Sequence, residues 1–388
     1  MALDANNQLL VDTLEAAPLV DGRYENVKLV NYNSLNDVRR GCLSMVFGAF
    51  DTISQKKVAL KFYDLSPALM HDQYRRAAFF REHELLERLI TVDRCLQLVS
   101  LMSTFNLTVK HGSATLTLPC HYFAVEWIDN EVDAFFLSAN KFSAVDKLRL
   151  FNEIVLSVET LHNHDIFHRD LKADNLRSYT EALKRTVVAI DLGTAARLDS
   201  GKIQIGYGSH VGARGYAAPE AIGGLTDNRR VAKYTDMYAL GCLLFELFNM
   251  DYYFVAVRRK NHAFDTVIAA IASKITGTTD IEREQDWCTA MTPLAGGFTP
   301  VSIAEPGSSV PPGVVAILDE ILSSLTNFDY RRRAHTLASV RQRVWSALRV
   351  LTNEQEYQRK LTQARKLKQL RREKVAAREA KISSRRVA

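Results

Sequence analysis

The sequence predicts an α+β fold of two lobes, in which a small β-rich lobe precedes a larger, mostly helical one. Strand-type runs cluster between Arg23 and Lys61, and helical patterns dominate after Asn130. The chain has 388 residues, 47% of them hydrophobic, which is enough to bury a core in each lobe. We expect four segments: an N-terminal extension (1–22), the small lobe (23–128), the helical lobe (129–350) and a basic helical tail (351–388).

Composition and charge narrow the classes of protein that the sequence can specify. The net charge is +6, but twelve Lys or Arg and only two Glu follow residue 358, so the tail carries +10 and the rest −4. A nucleic-acid-binding body would spread its positive charge across the fold. No apolar run approaches the ~20 residues that span a bilayer. We therefore expect no transmembrane segment.

The five cysteines are scattered, odd in number and not spaced like metal ligands. They are typical of free thiols in a reducing compartment. Residues 1–12 show no secretory signal. We expect a cytoplasmic location, with nuclear import and delivery into another cell left open.

In the small lobe, alternating and β-branched runs predict strands, and one charged segment with apolar residues at helical spacing predicts a helix. An insertion at about 31–40 lengthens the first hairpin. The strands are expected at Val27–Val30, Met45–Phe50, Lys57–Tyr63 and Thr115–Ile128, and the helix at Asp72–Leu89.

In the helical lobe, apolar periodicity predicts four helices, of which the second is unusually apolar and therefore buried. A segment rich in Gly, Pro, Thr and Ser, from Gly277 to Gly313, predicts a loop. The helices are expected at Ala144–Asn163, Thr235–Asn249, Pro311–Asn327 and Leu337–Leu351.

The most informative motif is H-R-D-L-K-A-D-N at His168–Asn175, followed by D-L-G at Asp191–Gly193. An aspartate that can accept a proton, an asparagine five positions later and a second aspartate are what magnesium-dependent phosphoryl transfer requires. The predicted fold places these motifs at the junction of the two lobes, where a cleft would form.

Lys61 in V-A-L-K lies on a predicted strand, where a cation can hold phosphate oxygens in place. It needs a carboxylate partner to stay oriented. Glu82 on the first predicted helix is the candidate, and Glu84, on a different face of that helix, is the alternative.

These motifs, in this order, resemble those of the eukaryotic-type protein kinase family, and the Ser/Thr branch more than the Tyr branch, from about Arg23 to Leu348. The resemblance implies a bilobal kinase-like fold that uses ATP and Mg²⁺. It implies that Asp170 is the catalytic base, that Lys172 offsets charge on the transferred phosphoryl group, and that Asn175 and Asp191 hold the metal.

The resemblance also implies an adenine site at F-A-V-E-W-I, where the Glu126 carbonyl and the Ile128 amide meet the adenine edge while Val46 and Ala59 pack on its faces. The glycine-rich loop departs from the family pattern. Of its three usual glycines only Gly41 is present, with an arginine and a serine at the other two positions.

The resemblance also implies roles for residues in the segment that regulates such enzymes and around it. Arg169 can receive a phosphate from this segment, with Tyr207 and Ser209 among its acceptors, or can pair with fixed acidic groups. His168 is structural in the family. Ala213 replaces a threonine typical of Ser/Thr kinases, which weakens that assignment.

Two motifs argue against a kinase of small metabolites, which usually lacks both. In G-Y-A-A-P-E, Glu220 is expected to form a buried ion pair with Arg333 or Arg332. In D-M-Y-A-L-G, Asp236 is expected to bond the backbone near His168.

The basic tail leaves three interpretations open: a solvated helix without a partner, a helix that binds an acidic partner, nucleic acid or an anionic membrane, and a nuclear-import signal around 366–374. Its apolar stripe is interrupted by charge, which disfavours a coiled coil.

We therefore predict a protein kinase that transfers phosphate to Ser/Thr hydroxyls of a protein substrate. A kinase-like scaffold without activity is the main alternative, because of the reduced glycine loop, and a small-molecule kinase is the second.

Overall fold

The computed structural model of the chain describes residues 3–33, 38–39, 44–67, 71–111, 114–181, 184–197, 212–225, 228 and 230–387. In the first lobe the elements are α1 (Ala5–Ala16), β1 (Tyr24–Leu29), β2 (Tyr32–Asn33), β3 (Val38–Arg39), β4 (Ser44–Asp51), β5 (Lys56–Tyr63), α2 (Gln73–Arg88), β6 (Leu98–His111) and β7 (Ala114–Glu126). In the second they are β8 (Asn130–Glu131), α3 (Asp133–Leu137), α4 (Ala144–Asn163), β9 (Ile166–Phe167), β10 (Leu176–Glu181), β11 (Lys184–Ala189), β12 (Ala196–Arg197), α5 (Pro219–Ile222), α6 (Ala232–Asn249), α7 (Tyr253–Lys260), α8 (Phe264–Ala272), α9 (Asp280–Met291), α10 (Val315–Thr326) and α11 (Leu337–Val387). The predicted two-lobed α+β fold is confirmed.

The first lobe is built on a five-stranded antiparallel sheet in the order β1-β4-β5-β7-β6. The four strands predicted in this lobe are present as β1, β4, β5 and β7. Strand β6 was not predicted, because its Ser, Thr and Asn residues dilute the apolar alternation that identifies a strand from sequence alone. It pairs with β7 as far as His111 and forms one edge of the sheet.

The two faces of this sheet carry different helices. On β5, Leu60 and Phe62 belong to the hydrophobic cluster that includes α1, whereas Tyr63 belongs to the cluster that includes α2. Because side chains alternate along a strand, Lys61 lies on the same face as Tyr63, towards α2. The sheet thereby orients Lys61 towards the helix that carries Glu82.

Helix α1 was predicted only as part of an extension. Asp4 caps it by accepting a hydrogen bond from Asn6 N at 2.9 Å. Leu10 and Leu14 are fully buried against the sheet. Its apolar residues are too few for a clear periodic signal, and packing on the sheet stabilises a helix that would be marginal by itself.

The helical lobe is organised around α6, which is buried along most of its length and packs on α10 and α4. The predicted loop at Gly277–Gly313 is wrong in its first part, because α9 occupies Asp280–Met291. Thr279 and Glu282 form a capping box there. The Gly, Pro and Thr content on either side of α9 concealed this start signal.

The last predicted helix continues into the tail, so that α11 runs over 51 residues and the expected boundary at residue 350 falls inside it. Its first part packs on the helical lobe through Leu337, Val340, Val344 and Leu351. From residue 352 to 374, the side chains that the structure describes are exposed, apart from Leu361, which is partly exposed.

Within the described part of the chain, no single helix is long and apolar enough to cross a membrane, although α6 and α7, bent by 90° at their junction, together pass that test of length and composition. Four cysteines are free thiols, namely Cys95, Cys120, Cys242 and Cys288. Cys42 lies outside the described residues.

Candidate active site

Lys61 and Glu82 form a buried ion pair between β5 and α2. The Lys61 Nζ lies 2.6 Å from Glu82 Oε1 and 2.7 Å from Oε2. Burial alone would lower the pKa of Lys61, but the Glu82 and Asp191 carboxylates outweigh it and raise this pKa above its ordinary value. The lysine is therefore held as a cation. Glu84, the alternative partner, is partly exposed and pairs with arginines of its own helix.

Asp191 is brought towards this pair by its backbone. Its φ of 65° and ψ of 68° are left-handed, a conformation that Asp and Asn adopt more readily than most residues. The next amide, Leu192 N, donates to Glu82 Oε1 at 3.2 Å. The amide of the residue before Asp191, Ile190 N, donates to the carbonyl of Asn175 at 2.9 Å. Backbone bonds on both sides thus join Asp191 to the ion pair and to Asn175.

Asp236 on α6 holds the backbone of the loop 168–175, which we call the catalytic loop. Its carboxylate accepts hydrogen bonds from His168 N at 2.8 Å and Arg169 N at 2.7 Å. These bonds support a left-handed φ of 65° at Arg169. The fully buried His168 ring bonds the carbonyl of Ile190 at 2.9 Å. The expected bonds from Asp236 to the backbone near His168 are present. The His168 side chain has a structural role, as the resemblance implies.

The carboxylate of Asp170 is oriented from two sides. Asn175 Nδ2 donates to its Oδ2 at 3.1 Å and to its carbonyl oxygen at 2.8 Å. Ala213 N donates to its Oδ1 at 2.6 Å, and Lys172 Nζ lies 3.7 Å from Oδ2. The backbone amide of Ala213 therefore supports Asp170 where the family's threonine would use its side chain.

Gly212 permits this close approach of the two segments. Its φ of 95° is one that L side chains rarely adopt. A Cβ at this position would collide with the carbonyl oxygen of Arg169 and lie 3.2 Å from Asp170 Oδ1. Only glycine fits between the catalytic loop and Ala213 without a shift.

Asn175 and Asp191 together fit a magnesium ion that arrives with a nucleotide. Asn175 uses its Nδ2 on Asp170, which leaves the amide oxygen for a metal. Among the residues that the structure describes, no three or more His, Cys, Asp or Glu side chains form a group suited to a metal. A complete protein cage is not what Mg²⁺ needs, since it usually binds one or two carboxylates together with substrate phosphates.

Val46 and Ala59 lie on the cleft face of the sheet. Val46 is opposite Lys61 in the β4–β5 register, and Ala59 is opposite Val125 in the β5–β7 register. Ala59 and Val125 pack in the cluster that spans the two lobes. The predicted apolar walls and the predicted phosphate-holding lysine therefore share one surface.

The connection between the lobes is anchored through Gln97, which sequence reasoning missed because a lone glutamine carries no pattern. Glu126 N donates to the Gln97 carbonyl, and Gln97 N donates to Glu126 Oε1, both at 2.9 Å. The Gln97 side chain bonds three carbonyls of the turn after α2. Ile128 is partly buried against the hydrophobic cluster that spans the two lobes. The structure thus holds the predicted adenine-edge residues on a braced segment.

A cavity lies beside this connection, lined by residues 126–130, Tyr179 and Thr180. It includes neither Lys61 nor Asp191. We therefore identify the candidate active site by its side-chain chemistry and not by this cavity.

Gly41, Tyr207 and Ser209 lie outside the described residues. Arg169 is 6% exposed, and its Nε donates to the carbonyl of Thr194 at 2.7 Å. This bond connects Arg169 to the segment that follows Asp191. That Arg169 receives a phosphate stays a prediction.

Glu220 pairs with Arg333 and not with Arg332. Arg333 Nη1 and Nη2 lie 2.5 and 2.9 Å from the two carboxylate oxygens, and both side chains have no exposed surface. Arg332 is 63% exposed in its side chain. A bidentate, fully buried pair fixes the short helix α5, which carries Glu220, to the helical lobe.

Glu246 is a partly buried titratable group that the sequence does not single out, although it and Asp236 are the only acids in the apolar helix α6. Tyr216 donates its hydroxyl to Glu246 Oε2 at 2.6 Å. Burial raises the pKa of Glu246 to about 7; the Tyr216 bond opposes this shift, and Asp133 and Asp174 add to it.

This shift predicts a pH-dependent stability. A carboxyl group with a folded pKa above its unfolded value keeps its proton in the folded state, so the free energy of unfolding falls as pH rises from about 4.5 to about 7. At about 1.4 kcal/mol per pKa unit, the loss of unfolding free energy is at most about 3.5 kcal/mol. Glu246→Gln should therefore match wild type near pH 4.5 and melt at a higher temperature at pH 8, as measured by thermal unfolding. Glu320→Gln, an exposed change on α10, is the control; a Glu246→Gln effect independent of pH would contradict the assignment.

Comparison with known families matches residues 32–346 to the protein kinase domain. The chain is similar to a probable cell division protein kinase of Encephalitozoon cuniculi, with 26% identity over 222 residues, 57% of this chain and 72% of that protein. It is similar to the serine/threonine-protein kinase mph1 of Schizosaccharomyces pombe, with 26% identity over 61% of this chain and 34% of that protein. It is also similar to CTD kinase subunit alpha of Saccharomyces cerevisiae, with 29% identity over 56% of this chain and 37% of that protein. The chain thus spans little more than a third of the length of these last two relatives.

Proposed function

Since the chain belongs to the protein kinase family, we propose that it transfers the γ-phosphate of ATP, with Mg²⁺, to Ser or Thr hydroxyls of a protein substrate. The observation that carries this proposal is the connected set of Lys61, Glu82, Asp170, Asn175 and Asp191. Hydrogen bonds link Lys61 to Glu82, Glu82 to the amide that follows Asp191, and Asn175 to Asp170.

The roles of these residues follow from their chemistry. Asp170 accepts the proton of the substrate hydroxyl and aligns that oxygen with the phosphorus. Lys61, held by Glu82, positions the α- and β-phosphate oxygens. Lys172, near Asp170, offsets charge on the transferred group. Magnesium, held by the side-chain oxygens of Asn175 and Asp191, would neutralise phosphate charge when bound.

The adenine would pack against the sheet face that carries Val46 and Ala59, with its edge at the Glu126 carbonyl and the Ile128 amide. The braced connection between the lobes supports this proposal. Gly41 would contribute to the phosphate loop.

Specificity for Ser or Thr rests on Lys172 and on the names of distant relatives such as mph1. The bond from Ala213 N to Asp170 supports an active loop without the usual threonine. The intact ion pair disfavours an inactive scaffold, and the Glu220–Arg333 pair disfavours a small-molecule kinase.

The exposed tail of α11 supports a second proposal, which concerns a partner. Residues after 358 carry +10, and we propose that they bind an anionic partner, a class that comprises acidic proteins, nucleic acid and anionic membranes. Binding of this kind should weaken steeply as the salt concentration rises.

The cytoplasmic location of the protein stays a prediction.

Incubation of the purified chain with γ-labelled ATP, with and without Mg²⁺, tests the proposed function. Label should enter protein Ser or Thr only with Mg²⁺, and Asp191→Asn should abolish it, since asparagine tolerates the left-handed backbone but lacks the charge that holds the metal. Mapping the labelled residues shows which type of side chain accepts the phosphate. Labelling that survives Asp191→Asn, or metal-independent labelling, would overturn the proposal; transfer only to small molecules in a substrate panel would favour the small-molecule kinase.

A further inference from the structure

Helix α1 makes a side-chain connection to the segment that joins β5 to α2. Asn7 is 2% exposed. Its Nδ2 donates to Asp64 Oδ1 at 2.7 Å, and its Oδ1 accepts from Leu65 N at 2.9 Å. One buried amide therefore uses both of its ends on two consecutive residues just after β5.

Further contacts of the described residues hold the turn at residues 64–66. Asp64, also 2% exposed, turns the chain by accepting from Ser66 N at 2.9 Å. Leu65 packs with Leu10 and Leu14 in the cluster under the sheet. Asn6 Nδ2 donates to the Leu65 carbonyl at 3.3 Å. The first turn of α1 thus holds both the backbone and the side chains of this turn.

The turn that Asn7 contacts lies, along the chain, between the strand that carries Lys61 and the helix that carries Glu82. Asp64 comes three residues after Lys61, and the turn leads to α2, which carries Glu82. The Lys61–Glu82 pair joins the strand before the turn to the helix after it, at 2.6 Å. Because Asp64 directly follows β5, a displacement of the turn would shift the end of the strand that carries Lys61 and would loosen this pair.

Helix α1 lies before residue 32, where the kinase-domain match begins. Its role therefore cannot be read from the family assignment and belongs to this chain. We propose that Asn7 is a positioning residue, which fixes Asp64 and Leu65 at the end of β5 and thereby sets the Lys61–Glu82 pair for phosphate transfer. This inference rests on the proposed function and deepens it.

Asn7→Ala should reveal the role in two measurements. Hydrogen exchange of amides in residues 73–88 should rise at least tenfold, because the helix is held less firmly once the Lys61–Glu82 pair is loosened. In steady-state assays kcat should fall by about tenfold or more while KM for ATP changes little, because phosphate alignment is lost while the adenine contacts remain.

Two variants serve as controls. Gln8→Ala changes an exposed side chain on the same helix, whose bond is to Asp12 at 2.8 Å, and should alter neither readout. Val340→Ala destabilises the distant helical lobe through a buried side chain. If exchange in 73–88 rises as much in Val340→Ala as in Asn7→Ala, the effect is global and the proposal is overturned.

The two readouts separate this inference from the proposed function. If wild type transfers no phosphate, the proposed function fails, while the exchange measurement still tests the anchor. If wild type is active and Asn7→Ala matches Gln8→Ala in exchange and in kcat, the kinase assignment stands and Asn7 has no positioning role.

Discussion

Asp170→Asn should reduce phosphate transfer by about 10²- to 10⁴-fold, the contribution of a positioned general base. Asparagine keeps the shape of the side chain and an oxygen for the Ala213 amide, which bonds Asp170 Oδ1 at 2.6 Å. It cannot accept the substrate proton. Its NH₂ group would also face the Asn175 Nδ2 that now donates to Oδ2, a local loss of one hydrogen bond that should lower stability only slightly.

The matched control is Asp165→Asn, an exposed aspartate five positions earlier whose φ of 57° suits asparagine equally. Initial rates of label transfer at saturating ATP, together with thermal unfolding, distinguish the two variants. We expect Asp165→Asn to retain wild-type rates. Asp170→Asn with more than about a tenth of wild-type activity and an unchanged fold would contradict the role of a general base.

Arg333→Met should produce the largest loss of stability, about 3–5 kcal/mol, because it leaves the Glu220 carboxylate buried without its partner. Arg333 also donates to the carbonyls of Tyr234 at 2.8 Å and Asn327 at 2.7 Å. Domains are commonly stable by only 5–15 kcal/mol. We therefore expect a large drop in the unfolding midpoint, or insoluble expression.

Arg332→Met is the control, since its side chain is 63% exposed and lies 3.9 Å from its nearest acid, Asp329; its effect should stay within about 1 kcal/mol. The double variant Arg333→Met/Glu220→Leu removes both charges and should recover part of the stability. These measurements use chemical denaturation. An Arg333→Met variant as stable as Arg332→Met would show that the buried pair is not a stabilising element.

The helical core and the cleft were predictable from sequence because their signals are local. Ala144–Asn163 has regular apolar spacing, and the helix there has these same bounds. The motifs of the catalytic loop and Asp191 predicted which groups meet, since each motif fixes its own backbone. Lys61 on its strand is predicted to need a carboxylate from the first helix, with Glu82 as candidate and Glu84 as alternative, and the structure shows the Glu82 pair.

Contacts between distant segments were not predictable. Ala213 lacks the side chain of the threonine that it replaces, but its backbone amide bonds Asp170, and no sequence pattern reports on backbone amides. Helix α1 forms through packing on a sheet far along the chain. The Asn7 contact to Asp64 spans 57 positions, and a single asparagine gives no periodic signal.

A structure of the chain with Mg²⁺ and a non-hydrolysable ATP analogue would test the central claim most directly. We predict that the α- and β-phosphate oxygens contact Lys61 Nζ and that the metal contacts Asn175 and Asp191, with the γ-phosphate directed towards Asp170. A nucleotide bound elsewhere, or phosphates that leave Lys61 and Asp191 untouched, would contradict the account.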